Sequence, residues 1–158
     1  MDQKIAASLA QQINYMAIEN IGKKTNKVLV GRRSSEDPKW TECKEQVRKR
    51  DKGRCQFQFC ISLKEAYLLK DGSQKALDPA HVISASVDST VIYNPKNVVT
   101  LQRFIHRRMD NFQNPLTGED LSSHNEHWYW WWRITQHKSI NYDENVDYKG
   151  LVYDYIYK

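Results

Sequence analysis

Apolar residues recur at helical spacing at the start of the chain. Ile5, Leu9, Ile13 and Met16 fall on one face, with Ala6, Ala10 and Ala17 beside them, which predicts an amphipathic helix over residues 2–20. Asp2 is placed to cap it and Gly22 to end it. Packing on the core is its default role; packing on a second copy of the chain is the alternative, so a homo-oligomer stays open. A second helix is predicted from Asp37, as N-cap, and Pro38, at the first helical position, to about Arg50. Its Trp40, Cys43 and Val47 would face inward, and Lys44, Arg48 and Lys49 outward.

Beyond Arg54 the pattern changes to short strands and loops. Residues 70–73 (KDGS) and Asn94-Pro95 mark turns. Ala80–Ile83 and the β-branched Asn97–Leu101 read as strands. Residues 102–112 read as a helix that Pro115 and Gly118 bring to a stop. The run from His127 to Ile134 holds four of the five tryptophans. On a helix Trp128, Trp131 and Trp132 share a face, which points to core packing for at least two of them. Tyr153, Tyr155 and Tyr157 alternate, which suggests a terminal strand with one aromatic face. The order of elements predicts an α+β fold: an N-terminal helix and basic connector over 1–37, a central domain over 38–135, and a tyrosine-rich extension over 136–158 that packs on the core.

Composition narrows the class. The chain has 158 residues, 40% hydrophobic and 27% charged, enough to bury a core. No apolar run approaches the roughly 20 residues of a membrane helix, and the N-terminus lacks a continuous apolar stretch of signal-peptide type. An intracellular, cytoplasmic protein with no membrane partner is therefore expected. The net charge of +5 is unevenly spread: residues 23–54 carry 12 Lys/Arg against 5 Asp/Glu, and the remainder is slightly acidic. A local excess of this kind suits a polyanion such as nucleic acid. Cys43, Cys55 and Cys60 are too few for a disulfide framework. Cys55 and Cys60 have no second pair to complete a four-ligand site, so no structural zinc is expected.

Three segments carry chemistry: Asp78-Pro79-Ala80-His81, then Asn97 to Leu101, then His106 to Asp110. His106 and Asp110, four apart on a helix, share a face and can bind one divalent ion. A neutral His81 can take a proton from water, because its ordinary pKa lies near physiological pH. Asn97 cannot titrate but can hold a loop or a ring by hydrogen bonds. His124, His127 and His137 are read as surface histidines.

Asn97 follows His81 by 16 positions, and His106 follows Asn97 by nine. This order resembles the HNH endonuclease family, with its ββα-metal fold. Trp40, Val47, Arg50-Asp51 and Arg54-Cys55 resemble that family's lead-in, and Asn114 to Gly118 with the Trp-rich segment resemble its phage-borne members. The resemblance covers roughly residues 40–133. It implies a metal-dependent DNA endonuclease that nicks or cuts duplex DNA, leaves a 5′ phosphate, and works in the host cytoplasm if phage-encoded. His81 matches the general base and Asn97 the residue that braces the loop and orients that base. His106 and Asp110 match helical metal ligands. Mg²⁺ is the implied ion, with Mn²⁺, Zn²⁺ or Ni²⁺ as substitutes. Many members place a further ligand immediately before the first His, where this chain has Ala80. Asp78, on the same strand face, is the candidate replacement. Lys23, Lys24, Lys27, Arg32, Arg33, Arg48, Lys49, Arg50, Arg103, Arg107 and Arg108 are the candidate phosphate contacts. Three alternatives stay open: an HNH-derived binding module without catalysis, a ribonuclease or structure-specific nuclease on the same site, and a zinc-stabilised protein–protein module.

Overall fold

A computed structural model describes residues 37–69 and 76–158. The expected N-terminal helix, the connector bearing Lys23, Lys24, Lys27, Arg32 and Arg33, and the turn at residues 70–73 lie outside the described residues. Helix α1 spans Pro38–Asp51 and buries Trp40, Cys43 and Val47, the inward face its sequence predicts. Lys52 and Gly53 both take positive φ and end it. Arg48, Lys49 and Arg50 fill its last turn, where cations oppose the negative end of the helix dipole.

Strands β1 (Leu77–His81) and β2 (Val98–Gln102) pair antiparallel, with His81 opposite Val98 and Asp78 opposite Leu101. Each lies near its predicted place. The first begins three residues early and stops at His81: Val82 N–H still donates to the Asn97 carbonyl, but the Asn97 N–H turns to the Asn94 carbonyl and does not return the bond. Asn97 itself sits in a 3-10 turn, Pro95–Asn97, just ahead of β2. Helix α3 (Arg103–Asp110) follows β2 directly and is shorter than predicted. Phe112 takes positive φ and turns the chain away. Arg108 then gathers the next loop, donating to the carbonyls of Pro115 and Leu116. Gly118 is required here: its φ is positive, and its backbone lies so close to the Arg108 guanidinium that a Cβ would sit 3.3 Å from it.

Strand alternation sorts side chains onto two faces of this hairpin. Val98 packs with Trp40, Cys43 and Val47 of α1. Ala80, Val99 and Leu101 join Ile105 and Met109 of α3 in the larger core. The register therefore puts His81 and Thr100 on the α1 face, and Asp78 and Ala80 on the α3 face.

Helix α4 (His124–Gln136) starts at Ser123, whose side chain accepts from the Glu126 backbone. It buries Tyr129, Trp130, Trp131, Arg133 and Ile134, while Trp128 and Trp132 are half-buried. The expected face of Trp128, Trp131 and Trp132 is thus not the one most deeply buried. The helix is wrapped from two sides, with Phe57 against Trp130 and Tyr148 against Tyr129.

The predicted terminal strand is also a helix, α5 (Tyr148–Tyr157), capped by Asp147, whose side chain accepts from Gly150 N–H. Tyr148, Val152 and Ile156, four apart, are all buried. Burying each is worth about 1.5–3 kcal/mol, which outweighs strand preferences spanning only ~1 kcal/mol. The short helix α2 (Leu63–Ala66) carries Glu65 to α4. There Arg133, whose side chain is only 3% exposed, donates to Glu65, to the Tyr129 hydroxyl and to the carbonyls of Cys60 and Lys138. The described residues thus make an α+β fold, and no helix among them is long and apolar enough to cross a membrane.

Candidate functional site

His81 closes β1 on the α1 face, half-buried. Its Nε2 lies 2.8 Å from the carbonyl oxygen of Ile92. A carbonyl only accepts, so Nε2 carries the proton and the lone pair of the neutral ring belongs to Nδ1. The Trp40 indole stacks on the imidazole, with centroids 5.0 Å apart and planes 20° from parallel.

Asn97 is fully buried and uses both ends of its amide. Its Oδ1 accepts from Ile83 N–H at 2.7 Å, and its Nδ2 donates to the carbonyls of Ile83 and Val91. The residue after Val91 is Ile92, whose carbonyl receives His81. Asn97 thus ties both ends of the loop that restrains the imidazole.

Across the hairpin, His106 stands between two carboxylates. Its Nδ1 is 3.1 Å from Asp78 Oδ2, and its Nε2 is 3.3 Å from Asp110 Oδ2. Arg103 grips the other side of Asp78 at 3.0 Å. Burial pushes the Asp78 carboxyl up, but hydrogen bonds from His106 and Arg103 outweigh this and hold it below its usual range. The hydrogen bond to Asp78 raises the His106 pKa above its ordinary value, against the opposing effect of burial.

This geometry departs from the expected ligand set of Asp78, His106 and Asp110. The two ring nitrogens point apart, so Asp78 and Asp110 lie at opposite edges of the imidazole. One ion can meet His106 Nε2 and Asp110, but not Asp78 as well. In keeping with this, no group of three or more His, Cys, Asp or Glu among the described residues is arranged to hold a metal ion. Asp78 instead occupies the place of a carboxylate that orients a histidine through its other nitrogen. The remaining pair, one imidazole nitrogen and one carboxylate, suits a divalent cation. Its 3.3 Å separation is near the ~3 Å between neighbouring ligands of an octahedral ion with bonds of about 2.1 Å. Asp110, 62% exposed, leaves room for the waters that Mg²⁺ keeps. Ala80 is fully buried and offers no donor.

The candidate phosphate contacts divide. Arg48, Lys49 and Arg107 are exposed, and Arg48 pairs with Glu45. Arg50, Arg103 and Arg108 spend donors inside the chain. Arg50 holds the carboxylate of Asp51 and the carbonyls of Pro95 and Val98. Asp51, buried, accepts from Thr100 N–H at 2.9 Å, so the pair rivets α1 to β2. Arg103 serves Asp78, and Arg108 serves the Pro115 loop. Of the other histidines, His127 donates Nε2–H to the Met109 carbonyl, and burial draws its pKa down. His137 contacts Gln56, and His124 is exposed. Cys43, Cys55 and Cys60 are buried thiols, none of them in a disulfide.

Sequence reasoning missed the Ile92 carbonyl and the stacking of Trp40 on His81. A carbonyl has no side-chain signature. The tryptophan read only as an inward residue of α1. The chain matches no family model, no curated protein and no solved structure.

Proposed function

We propose that this chain is a metal-dependent endonuclease of HNH type that hydrolyses phosphodiester bonds in DNA. The reading rests above all on one observation. His81, at the end of β1, is held by a backbone carbonyl so that its Nδ1 is the proton-accepting atom, in a strand–strand–helix sequence whose helix presents His106 beside Asp110. In the proposed reaction His81 Nδ1 removes a proton from water as its oxygen bonds to phosphorus. The bond from phosphorus to the 3′ oxygen breaks, leaving a 5′ phosphate and a 3′ hydroxyl. His106 Nε2 and Asp110 hold the ion, and Asp78 keeps His106 turned toward it. A bound divalent ion supplies charge stabilisation at the phosphate and the leaving oxygen.

His81 and His106 lie on opposite faces of the β1–β2 hairpin, so the scissile strand is proposed to run along β1, between the two. Of the candidate phosphate contacts, Lys49 and Arg107 are exposed and proposed to meet the DNA backbone, with Arg48 beside them on Glu45, and contacts of this kind position without reading sequence.

Nicking of supercoiled plasmid with Mg²⁺ or Mn²⁺ tests the reading. His81→Ala should lose about 10²–10⁴-fold in rate while still binding Mn²⁺. His106→Ala should lose both cleavage and Mn²⁺ affinity. Cleavage by His81→Ala at the parent's rate overturns the assignment. The buried methyl of Ala80, where a ligand would help, favours one other reading: a nucleic-acid-binding module without catalysis. DNA binding without cleavage under any divalent ion identifies that case.

A further inference from the structure

We infer that Trp40 is a positioning residue for His81, and that α1 serves as part of the catalytic apparatus and not only as a covering helix. The inference rests on the nuclease reading above. An imidazole at a strand end has two side-chain torsions to fix. The Ile92 carbonyl fixes the direction of Nε2 within the ring plane, and a hydrogen bond of this kind tolerates rotation about its own axis. The Trp40 indole fixes the plane itself, lying nearly parallel to the imidazole. Together they set where Nδ1 points.

Trp40 is in turn held firmly. It is 8% exposed and packs with Cys43, Val47 and Val98. The helix that carries it is tied to the strand opposite His81 by Asp51 on Thr100 N–H and by Arg50 on the Pro95 and Val98 carbonyls. The register completes the argument, since Val98 is both the partner of His81 in the ladder and a neighbour of Trp40 in the α1 cluster. An aromatic face is needed at this position, because an aliphatic side chain can pack against the imidazole without defining a plane. Misplacement of a reacting group by about an ångström costs on the order of 10²-fold in rate.

The test compares Trp40→Phe, which keeps a flat face, with Trp40→Leu, which keeps apolar bulk alone. Plasmid nicking is measured as kcat and KM, Tm is recorded for each protein, and the His81 ring protons are followed by NMR. Stacking on an indole moves those protons upfield. Trp40→Leu should lower Tm, as any large-to-small change in a buried cluster does, and, assayed well below that Tm, should lower kcat about 10–100-fold with KM near the parent's and return the His81 protons to ordinary positions. Trp40→Phe should restore kcat to within a few-fold and keep the upfield shift. If Trp40→Leu fails to fold, Trp40→Met takes its place. A parent that cleaves beside a Trp40→Leu protein with the same kcat overturns the role of Trp40 and leaves the nuclease reading standing. A parent that cleaves nothing overturns both, and the NMR shift then reports the stacking alone.

Discussion

The two faces of the β1–β2 hairpin each hold a half-buried histidine, and they treat it in opposite ways. On the α1 face, His81 meets a carbonyl and an indole. On the α3 face, His106 meets Asp78 and Asp110. Carboxylates favour a positive charge at the ring, whether a proton or a metal ion. A carbonyl fixes the tautomer without adding a formal charge, which leaves the lone pair of a neutral ring on the other nitrogen. One side-chain type, on one hairpin, is thus prepared for two tasks by what surrounds it.

The largest test of this contrast is Asn97→Ala. It strands Ile83 N–H and the carbonyls of Ile83 and Val91 in a fully buried place. Each unsatisfied group costs about 1–3 kcal/mol, so thermal denaturation should show a loss of at least ~2 kcal/mol. The damage should reach His81 through Ile92 and spare the opposite face. Mn²⁺ affinity unchanged beside lost cleavage is the expected pair of results, and an equal loss of both would break the contrast.

Asp78→Asn attacks the other face. Removing a carboxylate that orients a metal-binding histidine typically lowers affinity about 10–100-fold, readable by calorimetric titration with Mn²⁺. The His81 ring protons should not move.

The smallest effect is on pH. The folded-state pKa of His106 is raised, so its contribution to stability is fully present below its unfolded value and is lost as pH rises through the raised folded value. With chelator present, the parent should lose stability relative to His106→Gln on going from acid to alkaline buffer across that window. A constant difference between the two proteins would show that the carboxylates do not favour the charged ring.

The parts of this arrangement that follow local rules could be read from the sequence. Trp40, Cys43 and Val47 sit at helical spacing behind a proline, and β2 announces itself by β-branched residues. The segment from Tyr148 to Tyr157 could not be read from its tyrosines. Their alternation imitates a strand, while the deciding residues, Tyr148, Val152 and Ile156, are set by what α4 offers them. The arginines were opaque for a different reason. Arg50 reaches carbonyls 45 and 48 positions away, and nothing in a basic run separates such a rivet from an exposed cation such as Lys49. Asp78 does lie beside α3, but only the direction of the His106 ring separates a ligand from a group that steers one.

The Arg133 hub also bears on the order in which the chain can fold. Its partners Glu65 and Cys60 lie 68 and 73 positions earlier. Until α4 has been synthesised, the Cys60 carbonyl has only water to bond, and the undersides of β2 and α3, with Leu101, Ile105 and Met109, lack the aromatic layer of Tyr129, Trp130 and Trp131. Contacts between distant segments form late and leave apolar surface open to aggregation or proteolysis meanwhile. A nascent chain that stops short of α4 would carry every residue of the candidate site and still lack the core that sets them in place.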